Sequence, residues 1–123
     1  MSLRVLVCGG RDEHHADLIE STLSHLNATR GPFECLIDGE ARGVDRMAGK
    51  WARDHGVLEW GYLPEWHRVG APEGEARNEL IMAEAKPDLV VAFPGGAGTA
   101  DMVKKARAAS IEVIEIGPGS KHE

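Results

Sequence analysis

The sequence predicts an α/β domain of Rossmann-like type, a three-layer sandwich with a five-stranded, mainly parallel sheet of order 3-2-1-4-5. Three observations predict it. Apolar runs of strand length recur at residues 3–8, 33–37, 57–63, 89–93 and 111–116. Several are continuously apolar rather than alternating, as strands covered on both faces should be. Segments of helical period separate them, and alternation of this kind requires β-α-β crossovers and therefore parallel pairing.

The first run, Leu3 to Cys8, is rich in Val and Leu. A first helix follows on Ile19, Leu23 and Leu26, with Asp12 as its cap and Gly31-Pro32 as its stop. After the second strand, Val44, Met47, Ala48, Trp51 and Ala52 match i, i+3, i+4, i+7, i+8 and define a second helix ending at Gly56. Met47 and Trp51 fall on its apolar stripe as core or dimer contacts. The third strand carries Glu59 between apolar neighbours and reads as more exposed. Ala76, Leu80 and Ile81 mark a third helix before Pro87, and Val103 with Ala106 a fourth between the last two Val/Ile/Leu-rich runs. Residues 1–116 are thus expected to form one domain and 117–123 a flexible tail.

With 123 residues, 42% apolar and 28% charged, the chain has the size and composition of one globular domain. Fourteen Lys and Arg against twenty Asp and Glu leave a formal charge of −6, the wrong sign for general attraction to a phosphate backbone. Nucleic acid is therefore not an expected partner. Cys8 and Cys35 lack CxxC or metal-ligand spacing and are expected as reduced thiols in a cytoplasmic protein. No run is long enough to span a bilayer, and no export signal is visible.

In a 3-2-1-4-5 sheet the ligand site lies at the carboxyl ends of the strands, beside the reversal between strands one and four. The turn Pro94-Gly95-Gly96-Ala97-Gly98-Thr99 leads from strand to helix, and its three glycines let several N–H groups converge at the positive end of the helix. This predicts an anion cradle, most directly for phosphate, with Thr99 adding a hydroxyl or a cap. A tight turn with nothing bound is the bland alternative. After strand one, Gly9 and Gly10 permit close approach of a ligand while Arg11 offers a planar fork of donors. The second turn, Gly39-Glu40-Ala41-Arg42-Gly43-Val44-Asp45, repeats glycines and an arginine on the same sheet edge. There Asp45 either meets the ligand or bonds the loop's own N–H groups. Arg77 and Asn78 stand near the start of the third helix, facing the mouth.

A GxGxxG fingerprint is absent, and Asp38 follows Gly10 by 28 residues, so no dinucleotide cofactor is expected. Trp66, in a long Gly/Pro-punctuated connection with His67, either stacks on a base or plugs the sheet edge. His14 and His15 point in different directions and lack a third ligand, so no metal is expected. Lys104, Lys105 and Arg107 read as a solvated face.

These motifs, Cys8-Gly9-Gly10-Arg11, Gly39 to Asp45, Trp66, Arg77-Asn78 and Pro94 to Thr99, occur in the order seen in the SLOG superfamily of Rossmann-like domains. The chain resembles its small stand-alone YspA-like branch over nearly its whole length. The superfamily also contains the Smf/DprA DNA-processing proteins and the "lonely guy" phosphoribohydrolases. The resemblance implies binding or sensing of a nucleotide or nucleotide-derived phosphorylated ligand, by an oligomer. It implies as an alternative the cleavage of a base from a nucleoside monophosphate, and as a third reading the handling of single-stranded DNA. The phosphoribohydrolase signature is similar to Arg-x-x-x-Met with Pro-Gly-Gly-x-Gly-Thr-x-x-Glu. Here Ile81 and Met102 replace the Met and the Glu, leaving Asp101 or Glu40 as stand-in catalytic acids.

Overall fold

The computed structural model describes residues 2–10, 15–39, 43–61 and 74–116. Nine elements alternate in chain order: β1 (Leu3–Cys8), α1 (Ala16–Thr29), β2 (Phe33–Asp38), α2 (Val44–Asp54), β3 (Leu58–Gly61), α3 (Gly74–Ala85), β4 (Leu89–Ala92), α4 (Ala97–Ala108) and β5 (Glu112–Glu115). The sheet has order β3-β2-β1-β4-β5, and every pairing is parallel. The order and direction expected from the sequence are therefore those observed. The expected tail, 117–123, lies outside the described residues.

The side-chain period of a strand explains why the central runs are apolar throughout. Val5 and Val7 pack with Ile19, Leu23, Val44 and Trp51 on the α1/α2 side. Leu6, between them, packs with Ile37, Ile81, Met102 and Ala106 on the α3/α4 side. Successive residues of β1 thus enter two different cores, and neither face can be polar. The edge strand β3 differs: Leu58 and Trp60 are exposed, and Glu59 on the opposite face pairs with Arg53. Trp51 fixes the α1/α2 layer, donating from Nε1 to Ser24 Oγ at 2.9 Å and stacking on His55 at 4.6 Å.

Helix ends follow the breakers. Gly56, beyond α2, has φ 71°, a left-handed conformation that a side chain would strain. Gly43 caps the start of α2 at φ 81° for the same reason. At α1 the cap position belongs to His15, with no side-chain cap bond; Asp12, expected in that role, lies outside the described residues. At α4 the cap is Gly96 rather than Thr99. Gly96 is extended at φ −99°, ψ −145°, so the helix begins at Ala97 and Thr99 is its third residue.

Candidate functional site

The parallel register aligns the carboxyl ends of β1, β4 and β5, since Cys8 pairs with Ala92 and Ala92 with Glu115. Beyond this row the connections interlock. The Phe93 N–H donates to Cys8 O at 2.9 Å, and the Gly10 N–H to Pro94 O at 2.8 Å. Gly10 O in turn accepts from the Val44 N–H at 3.1 Å. One residue thus ties the turns after β1 and β4 to the start of α2. Helix starts and strand ends meet at one focus because parallel topology places every strand's carboxyl end on the same edge.

Two glycines are required by that contact itself. A Cβ on Gly9 would meet Val44 at 2.5, 2.8 and 3.0 Å. A Cβ on Gly95 would collide with Thr99 Oγ1 and stand 2.8 Å from the Gly10 backbone nitrogen. Gly96 and Gly98 differ. Among the described residues nothing lies within 4 Å of a Cβ built on either, and neither has a left-handed φ. Internal packing therefore explains Gly9 and Gly95 but not Gly96 or Gly98. Their bare backbone flanks the first turn of α4, whose leading N–H groups have no intrahelical acceptor and receive no side-chain bond from the cap residue Gly96.

Asp45 takes the structural alternative: its Oδ2 accepts from the Gly39 N–H at 3.0 Å, in a buried position that holds the second turn against α2. Asn78 is buried and donates from Nδ2 to Gly98 O and to Asp101 Oδ2, both at 3.0 Å. Its amide therefore braces the first turn of α4 instead of opening into the mouth. Asp101 accepts from Lys105 Nζ at 2.7 and 2.8 Å. The Lys105 ammonium, with help from Asn78, holds the Asp101 carboxyl below its ordinary 3.8. An ionised, paired carboxylate is a poor proton donor.

The residue at the phosphoribohydrolase glutamate position, Met102, is 3% exposed and packs in the cluster that includes Ile81. The two departures from the signature are thus neighbours in one apolar core. Burial in the first place, then the charges of Asp45 and Glu115, pushes the Cys8 thiol up to about 12, leaving it protonated and unreactive at neutral pH.

The described residues bring together Gly9, Gly10, Gly39, Gly43, Asp45, Asn78, Pro94, Gly95, Gly96, Gly98, Thr99 and Asp101 on one sheet edge. Arg11, Glu40, Arg42 and Trp66 lie outside the described residues; Arg77 is in α3, one position before Asn78. Sequence reasoning missed a cavity of about 640 Å³ that opens beside the turn at 94–99 and runs along α4 to the end of β5. Lys104 and Arg107, expected on a solvated face, stand on its wall with Phe93, Val103, Glu115 and Ile116. The available signal was the spacing Thr99, Val103, Lys104, Arg107, one helix face leading away from the glycine turn. Among the described residues, no group of three or more His, Cys, Asp or Glu is placed to hold a metal, and no helix is long and apolar enough to cross a membrane.

Known proteins share this fold. The chain is 33% identical over 124 residues to the Gene 61 protein of Mycobacterium phage D29, covering 93% of this chain and 96% of that protein. The molybdenum cofactor binding protein from the phototrophic bacterium Rippkaea orientalis superposes with a TM-score of 0.72 at 26% identity, over 96% of this chain and 78% of that one. The Chlamydomonas rheinhardtii Moco carrier protein does so at 0.61 and 18% identity, over 97% and 79%, a likeness of fold. The model of the YspA, cpYpsA-related SLOG family matches residues 3–69. With that match and the near full-length phage relative, the chain belongs to the YspA, cpYpsA-related SLOG family.

Proposed function

We propose that this protein binds a nucleotide or nucleotide-derived phosphorylated ligand at the carboxyl edge of its sheet, the phosphate resting on the first turn of α4. The observation that carries this reading is the pair Gly96 and Gly98. Inside the helix Gly98 costs stability, while Gly96 stands at the cap position where glycine is tolerated, and no contact or left-handed φ within the described residues calls for either. A ligand that needs close approach to the amides supplies the reason. The positive end of α4 supplies the attraction. Arg77, beside Asn78 in α3, and Arg11 and Arg42 in the neighbouring turns are the proposed guanidinium partners. Similarity to a solved structure named as a molybdenum cofactor binding protein supports a small-molecule ligand, and puts that cofactor among the compounds to test.

Binding is favoured over base cleavage because the glutamate position of the signature is apolar and the stand-in acid Asp101 is already paired. Met102 is buried and apolar, and Asp101 is committed to Lys105 and Asn78. Calorimetry against nucleoside phosphates, sugar nucleotides and molybdenum cofactor is expected to find a binder whose affinity falls at least tenfold, about 1.4 kcal/mol, in Gly96→Val and Arg77→Ala. A flat panel with folded protein rejects the reading. Release of free base from AMP by the wild type restores the hydrolase alternative.

A further inference from the structure

The cavity along α4 has two kinds of wall. Phe93, Val103 and Ile116 supply the apolar part of its lining. The same cavity is lined by an ion pair, Arg107 Nη2 to Glu115 at 2.5 Å, with both side chains more than half exposed. A volume of about 640 Å³ is ample for a mononucleotide-sized molecule. The cavity begins at Gly96 and Thr99, where the proposed phosphate site lies, and reaches Arg107, eight residues and roughly 12 Å further along the helix.

Resting on the proposed phosphate site, we infer that this cavity takes the ring of the ligand, and that the ring is a 2-amino-4-oxopyrimidine, the unit common to guanine and pterins. The apolar wall suits a flat heterocycle, whose faces shed water on contact. The Glu115 carboxylate presents two acceptor oxygens, and that ring carries an N–H and an amino group side by side as matching donors. Arg107 is the resting partner of Glu115, and an exposed ion pair of this kind yields readily to a ligand because its net worth is small. Adenine lacks the paired donors, so the arrangement discriminates between purines. Register adds a second line of support: Glu115 lies across Ala92 from Cys8, and its charge is felt at that thiol. The carboxylate therefore stands at the functional edge of the sheet.

The test compares inorganic phosphate, GMP, IMP, AMP, guanosine and 6-hydroxymethylpterin monophosphate by calorimetry on the full chain. GMP or the pterin monophosphate is expected to bind at least tenfold tighter than IMP, AMP or phosphate, and whichever does so identifies the source of the ring. Glu115→Gln should erase that preference while leaving phosphate binding unchanged. Lys104→Trp, at an exposed position on the cavity wall one turn beyond the phosphate site, should fill the cavity and abolish the gain from the ring while leaving phosphate binding in place. Ring-dependent binding that survives both substitutions overturns the inference, and so does GMP or pterin binding no tighter than phosphate. Guanosine binding blocked by Lys104→Trp, with no binding of phosphate, upholds the ring site and rejects the phosphate site. Absence of binding by every probe rejects both.

Discussion

Replacing Gly98 by alanine separates what the fold needs from what a ligand needs. Gly98 is the second residue of α4, with no heavy atom within 4 Å of a built Cβ among the described residues and no left-handed φ. Alanine is the better helix former and restricts the unfolded chain, so the variant should gain about 0.5–1 kcal/mol. For a chain of 123 residues that is a rise in Tm of roughly 2–4 °C. The new methyl group tilts towards the helix N-terminus, into the space where a bound phosphate would sit. Binding of inorganic phosphate, or of any panel ligand, should therefore weaken at least tenfold while stability rises. Gly95→Ala is the opposite control. Its Cβ meets backbone atoms at 2.8 and 3.0 Å that cannot swing away, and overpacking of this kind costs about 1–3 kcal/mol. Thermal denaturation and calorimetry on both variants decide the matter. A Gly98→Ala protein that is stabilised and binds as the wild type does would refute the argument, since that glycine would then serve neither fold nor ligand.

Further predictions concern the core and the titratable groups. Met102→Glu, which restores the phosphoribohydrolase signature, should destabilise by about 3–5 kcal/mol in urea unfolding without creating base release, because it buries an unpartnered carboxyl among Leu6, Ile81 and Ala106. Near wild-type stability together with AMP cleavage would reverse that conclusion. Asp101 is held below its ordinary 3.8, so its contribution to stability is complete above that pH and is lost as pH falls through the lower folded value. Asp101→Asn should accordingly flatten the acid limb of the stability profile below about pH 4; an unchanged acid limb would show the Lys105 pairing to be idle. With the Cys8 thiol raised to about 12, native protein should resist iodoacetamide at pH 8 and react only after unfolding. Rapid labelling of the folded chain would contradict that environment.

Fold class, strand order and the glycine turns were legible because they rest on local chemistry. Val5, Leu6 and Val7 cannot alternate in polarity when both faces of β1 are covered, and Gly43 and Gly56 mark left-handed turns at helix ends. Asn78 was placed at the right edge, but its bonds to α4 were not legible. That its amide is spent on Gly98 O and Asp101 depends on how α3 packs against α4, a distance of twenty residues in sequence that no periodicity encodes.

The sequence by itself determined a parallel doubly wound sheet and the edge where its glycine turns gather, since period and turn chemistry act over a few neighbours. Only the tertiary structure decided which glycines are steric necessities, Gly9 against Val44 and Gly95 against Gly10, and which stand open, Gly96 and Gly98. It also decided that the exposed Lys104 and Arg107, on the solvated face expected of them, line a cavity together with Glu115. Contacts between residues far apart in the chain are set by how whole elements pack, and that information lies in no short stretch of residues.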